Sequence, residues 1–203
     1  RRPVRLGTCL YYPGDAMKPP EIQNKPVSRA TGHKGRKIAY ADPPYIGYAK
    51  YYPEKQEVDH QRLILELETN YDAWALSCYS NSLHTLLPFC KSDVRIAAWV
   101  KPFAVFKVGV NPAYAWEPLL FRPLPRSRKV ATIRDWISVN PNIRGRHLKG
   151  AKPAKFCYWL FELLGDREDD ELFDLFPGTG IVTECWLSYQ DKLRQTQSVM
   201  RLE

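Results

Sequence analysis

The sequence lacks an apolar run of the roughly 18–20 uncharged residues that a membrane-spanning helix needs, and no signal peptide opens it. Its five cysteines are odd in number and show no CxxC spacing: Cys9, Cys78, Cys90, Cys157 and Cys185. A zinc site or a disulfide framework is therefore not expected. The cysteines are instead expected to be reduced, buried thiols. The four histidines are scattered without metal-ligand spacing, so no metal is assigned. These absences favour a soluble protein of the cytoplasm.

Charge is the most informative feature of the composition. The 203 residues include 30 Lys and Arg against 22 Asp and Glu, which gives a net charge of +8. Hydrophobic residues make up 44% of the chain, which excludes a wholly disordered protein. Ten basic residues and one acid, Asp135, fall between Phe121 and Lys155. Because basic residues concentrated between prolines and glycines are typical of loops that face phosphates, nucleic acid is the expected partner.

Short apolar runs alternate with helical patterns along the chain. The patterns predict strands at residues 37–42, 72–78, 94–100 and 172–176, a further strand at 115–121, and helices at 58–68, 80–89, 152–164 and 181–193. This alternation predicts an α/β fold with a mostly parallel central sheet and helices on both faces. We expect a single domain over residues 1–203, with an irregular basic lead-in at 1–36 and a basic segment at 122–150.

The first candidate site is Asp42-Pro43-Pro44-Tyr45, at the end of the first predicted strand. Open parallel sheets bind ligands beyond the carboxyl ends of their strands. The Asp42 carboxylate and the Pro43 carbonyl accept hydrogen bonds, the prolines stiffen the loop, and Tyr45 offers a flat aromatic face. Two acceptors and a stacking surface suit a planar group that carries an NH2, such as a nucleobase amine. Taken alone, the same residues also fit a proline-rich turn with a capping Asp.

The second candidate site is the loop after the last predicted strand, which contains Asp174, Phe176, Pro177, Gly178, Thr179 and Gly180. Glycines after a buried strand let the backbone approach a ligand, and the following helix presents free N–H groups. No Gly-Lys-Ser/Thr follows, so this is not a phosphate-binding P-loop. The third glycine of a dinucleotide fingerprint is replaced by Thr183 or Glu184. By itself, the loop fits either a cofactor site or a plain helix-start turn.

Together the two elements resemble the amino-methyltransferases that use S-adenosylmethionine (SAM) to methylate nucleobase nitrogens. Residues 42–45 match the catalytic D/N/S-P-P-Y/F/W element, residues 174–180 match the D-x-F-x-G-x-G cofactor loop, and Lys152-Pro153 matches the family's Lys-Pro element. Their order, with the basic segment in between, resembles the circularly permuted beta-type DNA methyltransferases. Residues 37–186 as a whole resemble small stand-alone methylases of phages and actinobacteria, with supporting matches at 58–60, 74–77, 98–101 and 115–118.

The resemblance implies a Rossmann-like SAM-dependent methyltransferase fold and direct methyl transfer to the N6 amine of adenine in DNA, leaving S-adenosylhomocysteine. The target base would be flipped out of the duplex and stacked on Tyr45, with its amine held by Asp42 and the Pro43 carbonyl. The residues expected to bind the cofactor are Lys152, Pro153, Asp174, Phe176, Pro177, Gly178, Thr179 and Gly180. The catalytic residues are Asp42, Pro43, Pro44 and Tyr45.

Other residues are candidates for nucleic-acid contacts. Tyr48 and Tyr51, beside Lys50, could stack on bases or belong to an exposed surface loop. Lys101 ends a predicted strand at the catalytic edge, where it could contact the substrate or simply extend its ammonium to solvent. The basic segment at 122–150 is assigned to DNA recognition, and its arginines are expected to contact phosphates, among them Arg126, Arg128, Arg144 and Arg146.

Alternative functions stay open at the level of the sequence. The same chemistry could act on cytosine N4 or on adenine in RNA, since the motifs of these enzymes overlap. A catalytically inactive methylase fold that serves as a nucleic-acid-binding subunit is an alternative of another class. The chain could be a monomer or a homodimer, and a restriction or helper subunit could join it. No residue is assigned to the ribose of SAM.

Overall fold

The computed structural model describes residues 35–52, 55–103, 108–125, 132–141, 151–165, 167 and 169–200. These residues form one six-stranded sheet and four α-helices. The strands are β1 (Lys37–Ala41), β2 (Ala73–Ser77), β3 (Arg95–Val100), β4 (Trp116–Arg122), β5 (Trp136–Ser138) and β6 (Glu171–Asp174). The helices are α1 (His60–Asn70), α2 (Leu83–Leu86), α3 (Ala154–Leu164) and α4 (Ile181–Met200). The predicted lead-in lies almost wholly outside the described residues.

The strand order across the sheet is β5-β3-β4-β2-β1-β6. β1 pairs in parallel with β2 and β6, and β3 pairs in parallel with β5. β4 is antiparallel to both of its neighbours, β2 and β3. Five strands therefore point in one direction, which confirms the predicted mostly parallel α/β fold. The carboxyl ends of these five strands and the amino end of β4 meet at one edge of the sheet, which we call the carboxyl edge.

The hydrophobic core has two layers, one on each face of the sheet. Ile38 and Tyr40 of β1 pack with α3 and α4, whereas Ala39 and Ala41 pack with α1 on the opposite face. This alternation follows from the two-residue side-chain period of a strand. Because β1 and β2 lie between other strands and under helices on both faces, their residues from Ile38 and Ala73 onwards are buried.

Local sequence signals set the ends of the helices. The Asp59 side chain accepts a hydrogen bond from the Arg62 backbone N–H at 3.0 Å and caps α1. Pro153 stands directly before α3, where its missing N–H costs no helical hydrogen bond. Gly165 ends α3 with a φ of 79°, a left-handed conformation that glycine adopts without steric cost. The predicted helix after Lys152-Pro153 is therefore confirmed.

Three elements differ from the sequence prediction. The helix predicted at 80–89 is a single α-turn, α2, between two 3-10 segments, because Pro88 cannot donate a helical hydrogen bond. The final helix continues to Met200, beyond the predicted end at Leu193. The basic segment contains a short strand, β5, which pairs with β3. Its half-buried Ile137 packs against the core. The apolar pattern of this three-residue strand is too short to be recognised in the sequence.

Arg122, the first residue of the predicted basic segment, has a structural role. Its guanidinium donates to Glu68 Oε2 at 2.6 Å and to the Tyr71 carbonyl at 2.9 Å. These contacts tie the end of β4 to α1 at the edge of the sheet opposite the carboxyl edge. The prediction that this residue belongs to a phosphate-facing loop is therefore wrong, because Arg122 already neutralises a buried carboxylate.

None of the described helices combines the length and the apolar character that a membrane crossing requires. Over the same residues, no group of histidine, cysteine or acidic side chains is arranged to hold a metal ion. The described cysteines are all free thiols; Cys78, Cys157 and Cys185 are buried, and Cys90 is half-buried.

Candidate active site

A cavity of about 330 Å³ opens at the carboxyl edge, between the Asp42 element and the glycine loop. The two elements meet because β1 and β6 are adjacent parallel strands, with Tyr40 paired to Asp174. Asp42 lies two residues after Tyr40, and Phe176 lies two residues after Asp174. Both line the cavity. Two motifs at opposite ends of the described chain thus face one space. A cavity of this size falls within the range of small-molecule sites.

Half of the candidate site residues that fall within the described part of the chain line the cavity. Those that line it are Asp42, Tyr45, Lys101, Lys152, Phe176, Pro177, Gly178 and Thr179. The remaining described members of the assigned set do not line it: Pro43, Pro44, Tyr48, Lys50, Tyr51, Pro153, Asp174 and Gly180. The four assigned arginines, Arg126, Arg128, Arg144 and Arg146, fall outside the described residues.

Four charged side chains form one cluster in the cavity wall. Lys152 Nζ donates to Asp42 Oδ1 at 2.9 Å and lies 3.6 Å from Glu117 Oε2. The Lys101 ammonium contacts the other oxygen of Glu117. The cluster comes from the ends of β1, β3 and β4 and from the residue pair before α3. With two cations and two anions, it is electrically neutral as a unit.

The pKa shifts in this cluster follow from burial and pairing. Burial raises the pKa of Asp42, and the Lys152 ammonium opposes that shift. Burial lowers the pKa of Lys152, but the carboxylates of Asp42 and Glu117 outweigh it and hold this pKa above its usual value. Burial also acts to raise the pKa of Glu117, and Lys152 and Lys101 together lower it below its usual value. Lys152 and Glu117 are therefore charged at neutral pH.

The Lys152 side chain is only 6% exposed, and it is held in an aromatic environment. Its ammonium lies 5.4 Å from the centre of a Trp99 ring and 5.8 Å from that of Phe156. The Lys101 ammonium lies over the same Trp99 ring at 4.6 Å. Cation–π attraction contributes to both positions. Since Lys152 is shielded from bulk water, its counter-charges must come from Asp42 and Glu117.

Tyr45 extends the cluster toward the mouth of the cavity. Its hydroxyl is hydrogen-bonded to Glu117, and its ring lies nearly parallel to that of Tyr79, at 7° and 6.4 Å between centroids. Burial raises the pKa of Tyr45 well above its usual value, so the phenol stays protonated. The ring is therefore fixed at both its hydroxyl end and one face. A fixed aromatic ring at the rim of a cavity can stack on a planar ligand.

The glycine loop forms the opposite wall. Gly178 and Gly180 have φ values of 50° and 79°, which residues with a side chain rarely adopt. A Cβ atom added at Gly180 would meet no atom within 4 Å, so the backbone here borders open space. Beneath the loop, Asp174 Oδ1 is buried and has no hydrogen-bond partner among the described residues. An unpaired buried acceptor beside exposed backbone fits a ligand that brings its own donors.

The pKa of Asp174 predicts a pH-dependent stability. Burial raises this pKa to about 6, so the folded protein binds the proton more tightly than the unfolded chain does. The associated stabilisation is complete below the unfolded pKa near 3.8 and is lost as the pH rises through 6. We expect Asp174→Asn to be more stable than the wild type, with an advantage about 1 kcal/mol larger at pH 8 than at pH 5.

Urea denaturation of both proteins at pH 5 and pH 8 measures this difference. Asp72→Asn is the matched control, because Asp72 is exposed and accepts from the Lys37 N–H at the start of β1. An Asp174→Asn advantage that is the same at both pH values would contradict a raised pKa for Asp174.

Glu117 is the main functional candidate that sequence reasoning missed. It belongs to the stretch 115–118, which supported the resemblance without a role being assigned. In an all-parallel sheet, the start of that strand would lie at the edge opposite the site. β4 runs antiparallel, so its amino end carries Glu117 into the cavity. An acid within an otherwise apolar strand was the available signal. Trp99 of β3, which is buried, also forms part of the cavity wall.

Comparisons with known proteins bear on the fold. No protein-family model and no curated protein matches this sequence. Among solved structures, a crystal structure of the M1.HpyAVI–SAM complex matches with a TM-score of 0.52 and 14% identity, over 77% of this chain and 79% of that chain. A crystal structure of M1.HpyAVI matches with a TM-score of 0.46 and 14% identity, over 77% of each chain. At this identity, the first match shows a shared fold.

Proposed function

We propose that this protein transfers a methyl group from SAM to the exocyclic N6 amine of adenine in DNA. The observation that carries the proposal is the shared cavity. The Asp42-Pro43-Pro44-Tyr45 element and the glycine loop resemble the catalytic and cofactor elements of one enzyme family, and both open into the same 330 Å³ space. A fold shared with a protein that was crystallised with SAM supports the same assignment.

The glycine loop is the part of the cavity that suits SAM. Phe176 and Gly178 line the space, and the unpaired Asp174 Oδ1 lies beneath them. We assign the adenosyl and methionine parts of the cofactor to this wall, because the loop offers open backbone and a buried acceptor. Bound SAM would supply a methyl group on a positively charged sulphur. The neutral charge cluster opposite the loop would not repel that charge.

The Asp42 element is the part that suits the acceptor. We assign the two amine protons of the target base to the Asp42 carboxylate and the Pro43 carbonyl, with the base stacked on Tyr45. Accepting both protons directs the nitrogen lone pair toward the methyl group, and holding the two reactants together supplies much of the rate enhancement. Because burial raises its pKa, Asp42 is also suited to take up the proton that the methylated amine releases.

Lys152 has a second partner within reach when the amine takes its place at Asp42. Its ammonium now donates to Asp42 Oδ1, one of the two carboxylate oxygens that can accept from the incoming amine. Glu117 Oε2, 3.6 Å from the same ammonium, is a second carboxylate within a short movement. We therefore assign Glu117 as the residue that holds Lys152 when substrate binds Asp42. The exchange keeps the Lys152 ammonium paired with a carboxylate, which a movement of Lys152 away from both carboxylates would not.

DNA is the proposed partner because of the charge of the chain and the nature of the cavity. We retain the basic segment at 122–150 as the DNA-recognition segment within one methyltransferase domain, with Arg122 excluded because it pairs with Glu68. A base inside a duplex cannot reach a cavity of this kind, so the target base would be flipped out. We place the reaction in the cytoplasm of a bacterial or phage-infected cell.

Isotope-labelled SAM tests the proposal directly. The purified protein is incubated with SAM carrying a labelled methyl group and with double-stranded DNA or, separately, RNA. The nucleic acid is digested, and its nucleosides are identified by mass. We expect labelled N6-methyladenine from DNA. Asp42→Ala, purified in the same way, is the control for a contaminating methylase from the expression host.

The other outcomes each change the conclusion in a defined way. Labelled N4-methylcytosine, or label found in RNA alone, would retain the chemistry and replace the acceptor. Absence of label from every nucleoside, with SAM binding still measurable by calorimetry, would contradict the proposed transfer. Absence of both label and SAM binding would favour a nucleic-acid-binding subunit with a methylase fold.

A further inference from the structure

A group of tyrosines lies in and beside the cavity wall, which includes Tyr45 and Tyr52. Six of the chain's twelve tyrosines lie there, and we call them the tyrosine surface: Tyr45, Tyr48, Tyr51, Tyr52, Tyr79 and Tyr114. Four of them are well exposed, with Tyr51 at 72% of its full accessible area. Single exposed aromatic residues are ordinary on protein surfaces. A contiguous exposed aromatic group marks an interaction surface.

The tyrosine surface is continuous with the candidate active site. The Tyr79 ring stacks on Tyr45 and contacts the Tyr114 ring, with centroids 4.8 Å apart. Tyr79 also contacts the Tyr48 ring at 5.7 Å. Tyr79 follows β2 and Tyr114 precedes β4, so the carboxyl edge carries both of them. The rings therefore run outward from the rim of the cavity in an unbroken row.

Hydrogen bonds hold this row in place. Asn81 Nδ2 donates to the Tyr114 hydroxyl at 2.7 Å, and the Tyr79 hydroxyl is hydrogen-bonded to Tyr114 and to Tyr48. The hydrogen bonds from Tyr79 and Asn81 lower the pKa of Tyr114. Rings that are fixed before a ligand arrives lose little conformational entropy on binding. The row is thus prepared for stacking contacts.

We propose that Tyr114, which Tyr79 and Asn81 hold in place, stacks on a nucleotide next to the target base, in a strand that is unpaired at that position. This inference rests on the proposed function, since a strand whose base occupies the cavity and stacks on Tyr45 would pass close to Tyr79 and Tyr114, the next rings in contact. Stacking on a side chain requires a base whose face is free, and a paired, stacked duplex offers none. At the border of the row, the Lys50 ammonium lies 5.3 Å from the centre of the Tyr51 ring and is exposed to a passing phosphate.

Binding of a fluorescent single-stranded oligonucleotide, measured without SAM, tests this inference. Tyr114→Leu removes the ring, and we expect its affinity to fall about tenfold, within the range that one base–aromatic stack provides. Tyr114→Phe keeps the ring and should bind within about twofold of the wild type. Phe89→Leu is the matched control, because Phe89 is also exposed but lies near the start of β3, at the opposite edge of the sheet.

Salt dependence separates stacking from a general loss of the surface. Tyr114→Leu removes no ionic contact, so the slope of log affinity against log salt should stay that of the wild type. Lys50→Gln should reduce that slope by about one phosphate contact. Unchanged affinity of Tyr114→Leu would overturn the inference, and so would an equal loss in Phe89→Leu. If the protein methylates DNA but Tyr114→Leu leaves oligonucleotide affinity unchanged, this inference alone is refuted. If the protein binds the strand but transfers no methyl group, the proposed function is refuted.

Discussion

Asp42→Ala is expected to reduce methyl transfer by about 100- to 1,000-fold, the usual loss when one group that stabilises a transition state electrostatically is removed. Asp42 is the side-chain acceptor of the proposed site, and the neighbouring Pro43 carbonyl cannot hold both amine protons by itself. SAM affinity should stay within a few-fold, because the cofactor is assigned to the opposite wall. Any change should be a weakening, since loss of Asp42 leaves the cluster with one excess positive charge.

Initial rates with labelled SAM and calorimetric SAM binding measure the two effects separately. Asp72→Ala is the matched control: the residue is an exposed Asp near the same sheet, at the edge opposite the cavity. We expect its rate to equal that of the wild type within about twofold. Near-normal transfer by Asp42→Ala would remove Asp42 from the catalytic role.

Lys152→Met has the second largest expected effect, and this effect depends on pH. The variant keeps a long apolar side chain between Trp99 and Phe156 but removes the ammonium. Asp42 then loses its cation, so its pKa rises further, and the acidic limb of the rate profile moves to higher pH. The loss of stability should reach up to about 3 kcal/mol, since the Asp42 carboxylate loses its cation while Glu117 keeps Lys101.

The sign of the pH effect on stability follows from the raised pKa of Asp42. In Lys152→Met, the folded state holds the Asp42 proton more tightly than the unfolded state does. The stability deficit is therefore small below the unfolded pKa and grows as the pH rises through the folded pKa. Denaturation curves and pH–rate profiles of Lys152→Met measure both consequences. Lys155→Met, at an exposed position in the first turn of α3, should match the wild type in both.

A double variant tests whether the four charges act as one unit. Lys152→Met leaves the cluster with one excess negative charge, and adding Glu117→Gln restores neutrality. The double variant should therefore be more stable than the sum of the two single effects predicts, by about 1 kcal/mol. Strict additivity of the two substitutions would contradict the coupled cluster.

Much of the fold could be predicted from the sequence, because its determinants are local. Apolar runs of strand length signalled the core strands, the helical pattern at 58–68 signalled α1, and the structure confirms them. Juxtaposition of the Asp42 element and the glycine loop also followed from a general rule, that parallel strands bring their carboxyl ends together. To apply this rule, it was enough to expect that β1 and β6 run parallel, as they do.

The missed features depend on relations between distant elements. The sequence does not indicate that β4 runs antiparallel to its neighbours. This direction decides whether Glu117 lies at the cavity or at the opposite edge of the sheet. Lys152 was expected at the cofactor loop, and its contact with Asp42 depends on how α3 packs across the sheet. Tyr79 and Tyr114 are unremarkable in the sequence. They become neighbours only because β2 and β4 pair, with Ser77 opposite Leu119.

The pairing of β1 with β6 has a consequence for how the protein is made. Arg36 and Asp170, which form an ion pair at the start of these strands, are 134 residues apart in the chain. During synthesis, one edge of β1 stays unpaired until β6 has left the ribosome, which happens only after most of the polypeptide has been made. Closing so long a loop costs entropy that nearby contacts do not repay, so this pairing should come late in folding. The cavity lies at the far end of that strand pair, and competence to bind a ligand should therefore be among the last properties that a new molecule acquires.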